Sequence, residues 1–222
     1  MSKIRCLYEK SGKAKFISHL DLMATFKRSF LRAGVKLTYS EGFNPHPYIS
    51  VALPLSVGCE SVCELIDVGF SDSEFPRNIN DFMPEGLNIF EVYSPNRKFS
   101  HIKWVKISFV VYFSKEDPEG AENTQIIAEC IKEVFGRETI VISKKSKSGV
   151  KDIDIAPHIK CESVKALSDF EIEIEALISA QNPTVSHNDL LSVIGLENKI
   201  PTPGHYLLKR IEIYDEGMVV FR

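Results

Sequence analysis

Ser18-His-Leu-Asp-Leu-Met-Ala-Thr-Phe-Lys-Arg-Ser-Phe-Leu-Arg-Ala-Gly34 is the stretch on which the fold turns. Ser18 is placed to cap a helix, Asp21 follows three residues on as in a capping box, and Gly34 supplies the stop, so the pattern predicts a helix over 19–33. At about 100° per residue, Leu22, Met23, Phe26, Phe30 and Ala33 share one arc and Asp21, Arg28 and Arg32 point the other way. The helix therefore has an apolar face for a core and a basic outer face. Before it, Ile4, Cys6 and Tyr8 alternate with Lys3, Arg5 and Leu7, which reads as a strand over 4–17 interrupted near Lys10–Lys13. After it, 35–40 and 49–57 read as strand material around the loop 41–48, and 64–70 as a strand. Residues 75–83 read as a short helix capped from Ser71–Ser73, and 87–93 as a closing strand.

That order, βαββαβ, is the ferredoxin-like arrangement, with both helices on one face of an antiparallel sheet. The second half repeats it with a strand at 103–113, a helix at 121–135, strands at 139–143 and 170–178, a helix from Ser186 or His187 to 194, and a strand at 206–214. The fold class expected is α+β, with two tandem ferredoxin-like subdomains, 1–97 and 98–222, divided near Ser94-Pro-Asn-Arg-Lys98. A basic hairpin over 144–157, turning at Lys147-Ser-Gly149, is an insertion in the second. The repeat rests on element order alone, since the halves share no visible sequence identity.

Composition sets the outer limits. The 222 residues are 44% hydrophobic and 26% charged, enough apolar content for a packed core and too much for a disordered chain. No apolar run approaches the roughly 18–20 residues of a membrane span, and no signal-peptide stretch opens the sequence, so a cytoplasmic, non-membrane setting is expected. Five cysteines, at 6, 59, 63, 130 and 161, contain no Cys-x-x-Cys pair, which argues for reduced thiols rather than a disulfide framework or zinc ribbon. Cys59 and Cys63 have the spacing that opens a radical S-adenosylmethionine cluster motif, but Ile66 stands where its third thiolate belongs. No phosphate-binding glycine loop or metal-ligand spacing appears, and no metal or cofactor is expected.

The net charge of -3 conceals an asymmetry. Residues 1–50 hold nine Lys/Arg against three acids, a net of +6, while 51–95 hold one against eight, a net of -7. Such blocks are commonly solvated faces, and they also suit a surface that orients a polyanion. Two features could use the positive charge. In the loop, Gly42 permits unusual backbone angles and Pro45 and Pro47 stiffen the chain, which presents Tyr39, Phe43, Asn44, His46 and Tyr48 beside Arg28 and Arg32. Aromatic faces there can stack bases while the arginines meet phosphates, or the rings can plug a sheet edge. Lys144, Lys145 and Lys147 in the hairpin can grip phosphates or guard an exposed strand edge. His19 falls on the apolar arc at the helix start, where the dipole favours neutral imidazole. With His46 it is a candidate catalytic pair, or it seals the helix against the sheet.

Four stretches carry a resemblance: Lys-Phe-Ile-Ser-His-Leu-Asp-Leu-Met (15–23), Arg-Ala-Gly-Val-Lys-Leu-Thr-Tyr-Ser-Glu-Gly-Phe-Asn-Pro-His-Pro (32–47), Ile-Ser-Val-Ala-Leu-Pro-Leu-Ser-Val-Gly (49–58) and Glu-Ser…Glu-Leu-Ile-Asp-Val (60–68). They resemble a bacterial radical-SAM-linked family catalogued as a domain of unknown function, as does Lys-Ser-Gly-Val-Lys-Asp-Ile-Asp-Ile-Ala-Pro (147–157). Members stand alone or form the C-terminal part of a B12-binding-type radical SAM protein. The resemblance implies a radical SAM partner and no radical chemistry in this chain. The leading expectation is an accessory module, not itself an enzyme, that binds tRNA or rRNA or presents a substrate to that partner. The alternatives are a metal-independent RNA endonuclease using His19 and His46, and an adaptor that docks through the acidic stretch 60–91.

Overall fold

The computed structural model describes residues 2–71, 74–113, 124–146, 149–197, 200 and 203–222. The fold is α+β and divides into two compact units, Met1–His101 with Val220–Arg222, and Ile102–Val219.

In the first unit β1 (Ser2–Lys10) leads through a 3-10 turn (Gly12–Phe16) into α1 (His19–Arg32), followed by β2 (Ile49–Val51), β3 (Glu60–Phe70) and β4 (Leu87–Tyr93). β1 runs antiparallel to both β3 and β4, and β2 antiparallel to β3, so the strands lie in the order β4-β1-β3-β2. Ser18 caps α1 by accepting the Asp21 backbone N–H at 3.2 Å. Gly34, at φ +83°, takes the left-handed position that ends the helix. Helix and sheet then bury one apolar surface: Ile4, Cys6 and Tyr8 from β1, Leu22, Phe26 and Phe30 from α1, and Ile66, Val68 and Phe70 from β3. Aromatic contacts bind it together, with Tyr8 edge-on to Phe26 at 4.8 Å between centroids, Phe26 stacked on Phe30 at 5.6 Å and Phe30 edge-on to Phe75 at 5.7 Å.

Several elements differ from the sequence expectation. The strand over 4–17 stops at Lys10, because Gly12 adopts φ +54° and turns the chain. The helix over 75–83 is a single 3-10 turn, Ile79–Phe82. Pro76 and Pro84 bracket it, and the Asn80 side chain leaves it to exchange two hydrogen bonds with the backbone of Ile89, at 2.8 and 2.9 Å. Asp72 and Ser73, in the segment expected to cap it, lie outside the described residues. Strand structure at 35–40 shrinks to the bridges Leu37–Phe70 and Tyr39–Pro47, and that at 49–57 to Ile49–Val51.

The second unit contains β5 (Trp104–Tyr112), α2 (Thr124–Phe135), β6 (Val141–Ser146), β7 (Gly149–Asp154), β8 (Ile159–Ser168), β9 (Glu171–Ser179), α3 (His187–Gly195) and β10 (His205–Tyr214). β5 pairs antiparallel with β10 and β9, and β9 with β8, in the order β10-β5-β9-β8. α2 packs on β8 and β9 and meets α3, burying Ile127, Ile131 and Val134. The expected start of α2, 121–123, lies outside the described residues. A full capping box, Ser186 with Asp189, opens α3. Burial holds His187, at the first turn of α3, below the usual histidine range, and its ring faces the Tyr206 hydroxyl at 3.2 Å.

The strand expected at 139–143 is β6, but among the described residues it pairs with β7 alone, as a two-stranded ribbon. The partner of β9 is instead β8, whose alternation is weak because it is an edge strand with only Ile159 fully buried. Ile153–Ile155 does not extend a sheet beyond Asp154, since a 3-10 turn (Ala156–His158) begins there. The units are thus not clean copies. Among the described residues, the first unit has α1 and no second α-helix, and the second unit carries the ribbon. No described helix is long and apolar enough to cross a membrane.

Candidate functional site

The loop after α1 is built as a brace. Tyr48 N–H donates to Thr38 O at 2.9 Å, Ser40 N–H to His46 O at 2.8 Å, and His46 N–H to Ser40 Oγ at 3.0 Å. Gly42 at φ +121° turns the tip, a conformation that L side chains avoid. Phe43 stands on this tip fully exposed, at 110% of the reference area, with Asn44 and His46 also exposed. Tyr39 and Tyr48 flank the stem at 40% and 46% exposure. These rings do not plug the sheet edge. The loop reaches the basic face of α1 through Lys27, whose Nζ lies 5.8 Å from the Tyr39 ring centre, and Arg28 is exposed one residue further on.

Arg32 is partly committed elsewhere. Its guanidinium donates to Phe82 O at 2.8 Å and ties α1 to the 3-10 turn. Lys144 is likewise engaged, 2.7 Å from the Asp189 carboxylate and donating to Thr184 O at 2.6 Å, so it fastens the ribbon inside the second unit instead of offering a free cation. Lys145 lies on β6 opposite Val150, and Lys147 lies outside the described residues.

His19 departs from the apolar arc assigned to it. It is exposed, as are Leu20 and Asp21, and the buried face of α1 begins at Leu22. Ser18 and Asp21 are occupied with each other: Ser18 Oγ donates to the Asp21 carboxylate at 2.7 Å. Among the described residues, no hydrogen bond, ion pair or ring contact joins His19 to His46. No group of three or more His, Cys, Asp or Glu side chains among the described residues is arranged to hold a metal ion. In the acidic stretch 60–91, the first members are paired or buried. Glu60 pairs with Lys15 at 3.1 Å, while Glu64 and Asp67 are 1% and 3% exposed.

Asp67 belongs to a feature that the sequence reading passed over. On the sheet face turned away from α1, the register sets Ser50 of β2 beside Asp67 of β3 and Asp67 beside Arg5 of β1. Arg5, 1% exposed, donates Nε to Asp67 Oδ1 at 2.7 Å and Nη2 to Oδ2 at 3.1 Å, while Lys3 Nζ reaches Oδ2 at 2.8 Å. The guanidinium lies 4.3 Å from the Phe99 ring centre and 5.3 Å from that of Phe221, near the chain end. Its Nη2 also donates to Arg97 O at 2.9 Å, and its Nη1 is buried without a hydrogen-bond partner among the described residues. Burial and then the Asp67 charge push the Cys6 thiol up to about 12, which leaves it inert as a nucleophile.

Residues 3–187 match the model of one bacterial protein family. No curated protein matches the chain.

Proposed function

The chain belongs to the family described as an uncharacterized protein conserved in bacteria, DUF2344, and from that premise we propose that its first unit is a binding module for single-stranded RNA. In this reading it serves a radical SAM partner and does no radical chemistry itself. The two units are variants of one ferredoxin-like plan, a reading supported by their shared order of last, first, third and second sheet strand around one central antiparallel pair.

The observation that carries the proposal is Phe43: a whole aromatic ring held in water on a hydrogen-bonded stem, beside the cations of α1. Leaving such a ring exposed forgoes roughly 1.5–3 kcal/mol of burial, which a stacking partner can recover. Base stacking on an aromatic side chain contributes about 1–3 kcal/mol per base, and Lys27 and Arg28 are placed to meet the phosphates that follow. Tyr39 and Tyr48 offer further faces, and Asn44 and His46 are free to hydrogen-bond base edges.

Fluorescence anisotropy with short single-stranded fragments of tRNA and rRNA tests this. Phe43→Ala weakens binding by roughly 5- to 150-fold, the equivalent of one lost stacking contact. Its thermal unfolding is unchanged, because the ring touches no core. Equal affinity for wild type and Phe43→Ala would remove the loop from any binding role.

A further inference from the structure

A cavity of about 560 Å³ opens on the same sheet face, lined by Lys3, Pro47, Tyr48, Ile49, Ser50, Asp67 and Gly69. Its origin lies in the register. Lys3 of β1 stands opposite Gly69 of β3, and the Gly69 N–H donates to Tyr48 O at 2.7 Å, so Lys3, Gly69 and Tyr48 form one row across three strands. The middle member has no side chain, which leaves a hollow between an ammonium and a phenol ring. In the adjacent row Ser50 and Asp67 form its base. The volume falls within the roughly 300–1,000 Å³ of ordinary small-molecule sites.

The charge of the hollow follows from its contacts. Both oxygens of Asp67 are taken by Arg5 and Lys3, so the single carboxylate is outnumbered and the cluster keeps a net positive charge. Lys3 spends one of its three N–H donors on Asp67 and, with its side chain 57% exposed, holds the others toward open space. Ser50 adds an exposed hydroxyl and Tyr48 a flat wall, with Pro47 and Ile49 as apolar rim. An anionic oxygen group satisfies Lys3 and Ser50, and a planar ring covers Tyr48. We infer that this hollow binds a small planar ring bearing a phosphate or carboxylate, with Lys3 as the anion contact, Tyr48 as the stacking wall and Gly69 as the residue that keeps the space open.

The hollow shares Tyr48 with the loop surface but excludes Phe43 and takes a different ligand, so a Phe43 substitution tells the two apart. The test follows the backbone amide resonances of Gly69 and Ser50 in the full chain during titration with adenosine 5′-monophosphate, adenosine, inorganic phosphate and benzoate. The expected result is saturable shifts of both amides with the monophosphate or with benzoate, and binding roughly tenfold or more weaker for adenosine and for phosphate alone. A response to the monophosphate assigns a phosphate ligand, and one to benzoate a carboxylate. Lys3→Gln, at an exposed position that leaves the fold intact, lowers affinity by roughly tenfold or more, and Gly69→Leu, which fills the hollow, abolishes it. Phe43→Ala leaves these shifts unchanged. Absence of shifts with both ring anions, or undiminished binding by Lys3→Gln, overturns the assignment.

Discussion

Asp67→Ala is expected to lower the stability of the first unit by about 3–5 kcal/mol, read as a lower midpoint in denaturant unfolding. The cause is less the lost attraction than what remains. Arg5 is 1% exposed, its Nη1 already lacks a partner among the described residues, and in the variant it would lose both hydrogen bonds to the carboxylate, keeping the one to Arg97 O, while staying enclosed by Phe99 and Phe221. Arg5→Met is milder, since it removes the buried positive charge and fills similar volume, and Asp67 retains Lys3 at 2.8 Å. A double variant, Arg5→Met with Asp67→Leu, recovers most of the loss, because an apolar pair of similar volume is often as stable as a buried ion pair. If Asp67→Ala unfolded within about 0.5 kcal/mol of wild type, the description of this face as a closed charge cluster would be wrong.

Phe26→Ala carries an effect of similar size, about 3–5 kcal/mol. Phe26 is 0% exposed and stands at the centre of the aromatic chain, edge-on to Tyr8 and stacked on Phe30. Its removal leaves a cavity between α1 and the sheet that neither neighbour can fill, because Tyr8 is fixed on β1 and Phe30 is already packed against Phe75. Phe26→Leu, which retains most of the volume, costs less, and the ordering Ala below Leu below wild type in thermal unfolding checks the claim. Phe43→Ala stands in contrast, since one phenylalanine is enclosed in the core and the other stands in water.

That division was half legible in the sequence. α1 announced itself through Ser18, the apolar spacing of Leu22, Phe26 and Phe30, and Gly34, and its buried face is the one the spacing specified. The start of α3, read at Ser186 or His187, was equally plain. Elements without such local signals were lost. The 3-10 turn at Ile79–Phe82 owes its shape to Asn80 bonding a strand nine residues away, and β8 is an edge strand whose pattern is diluted by exposure. The exposed loop was legible because glycine and proline dictate its backbone directly. His19 was misplaced because helical angle says nothing about where along the helix burial begins. Arg5 and Asp67 were passed over although each left a trace, a lone charge inside an apolar run, Ile4-Arg-Cys6 and Leu65-Ile-Asp-Val68. Only the register, which places them side by side on neighbouring strands, turns those traces into a pair.

The central claim, that the loop and the outer face of α1 form a cationic, aromatic surface for a nucleotide strand, meets its most direct test in the salt dependence of binding. With a single-stranded RNA fragment titrated between about 50 and about 200 mM salt, each phosphate contact adds roughly 0.7 to the slope of log affinity against log salt. Contacts from Lys27 and Arg28 therefore predict a slope of about -1.4, falling to about -0.7 in Arg28→Ala. A slope that Arg28→Ala leaves unaltered, or no binding at the lowest salt, would contradict it.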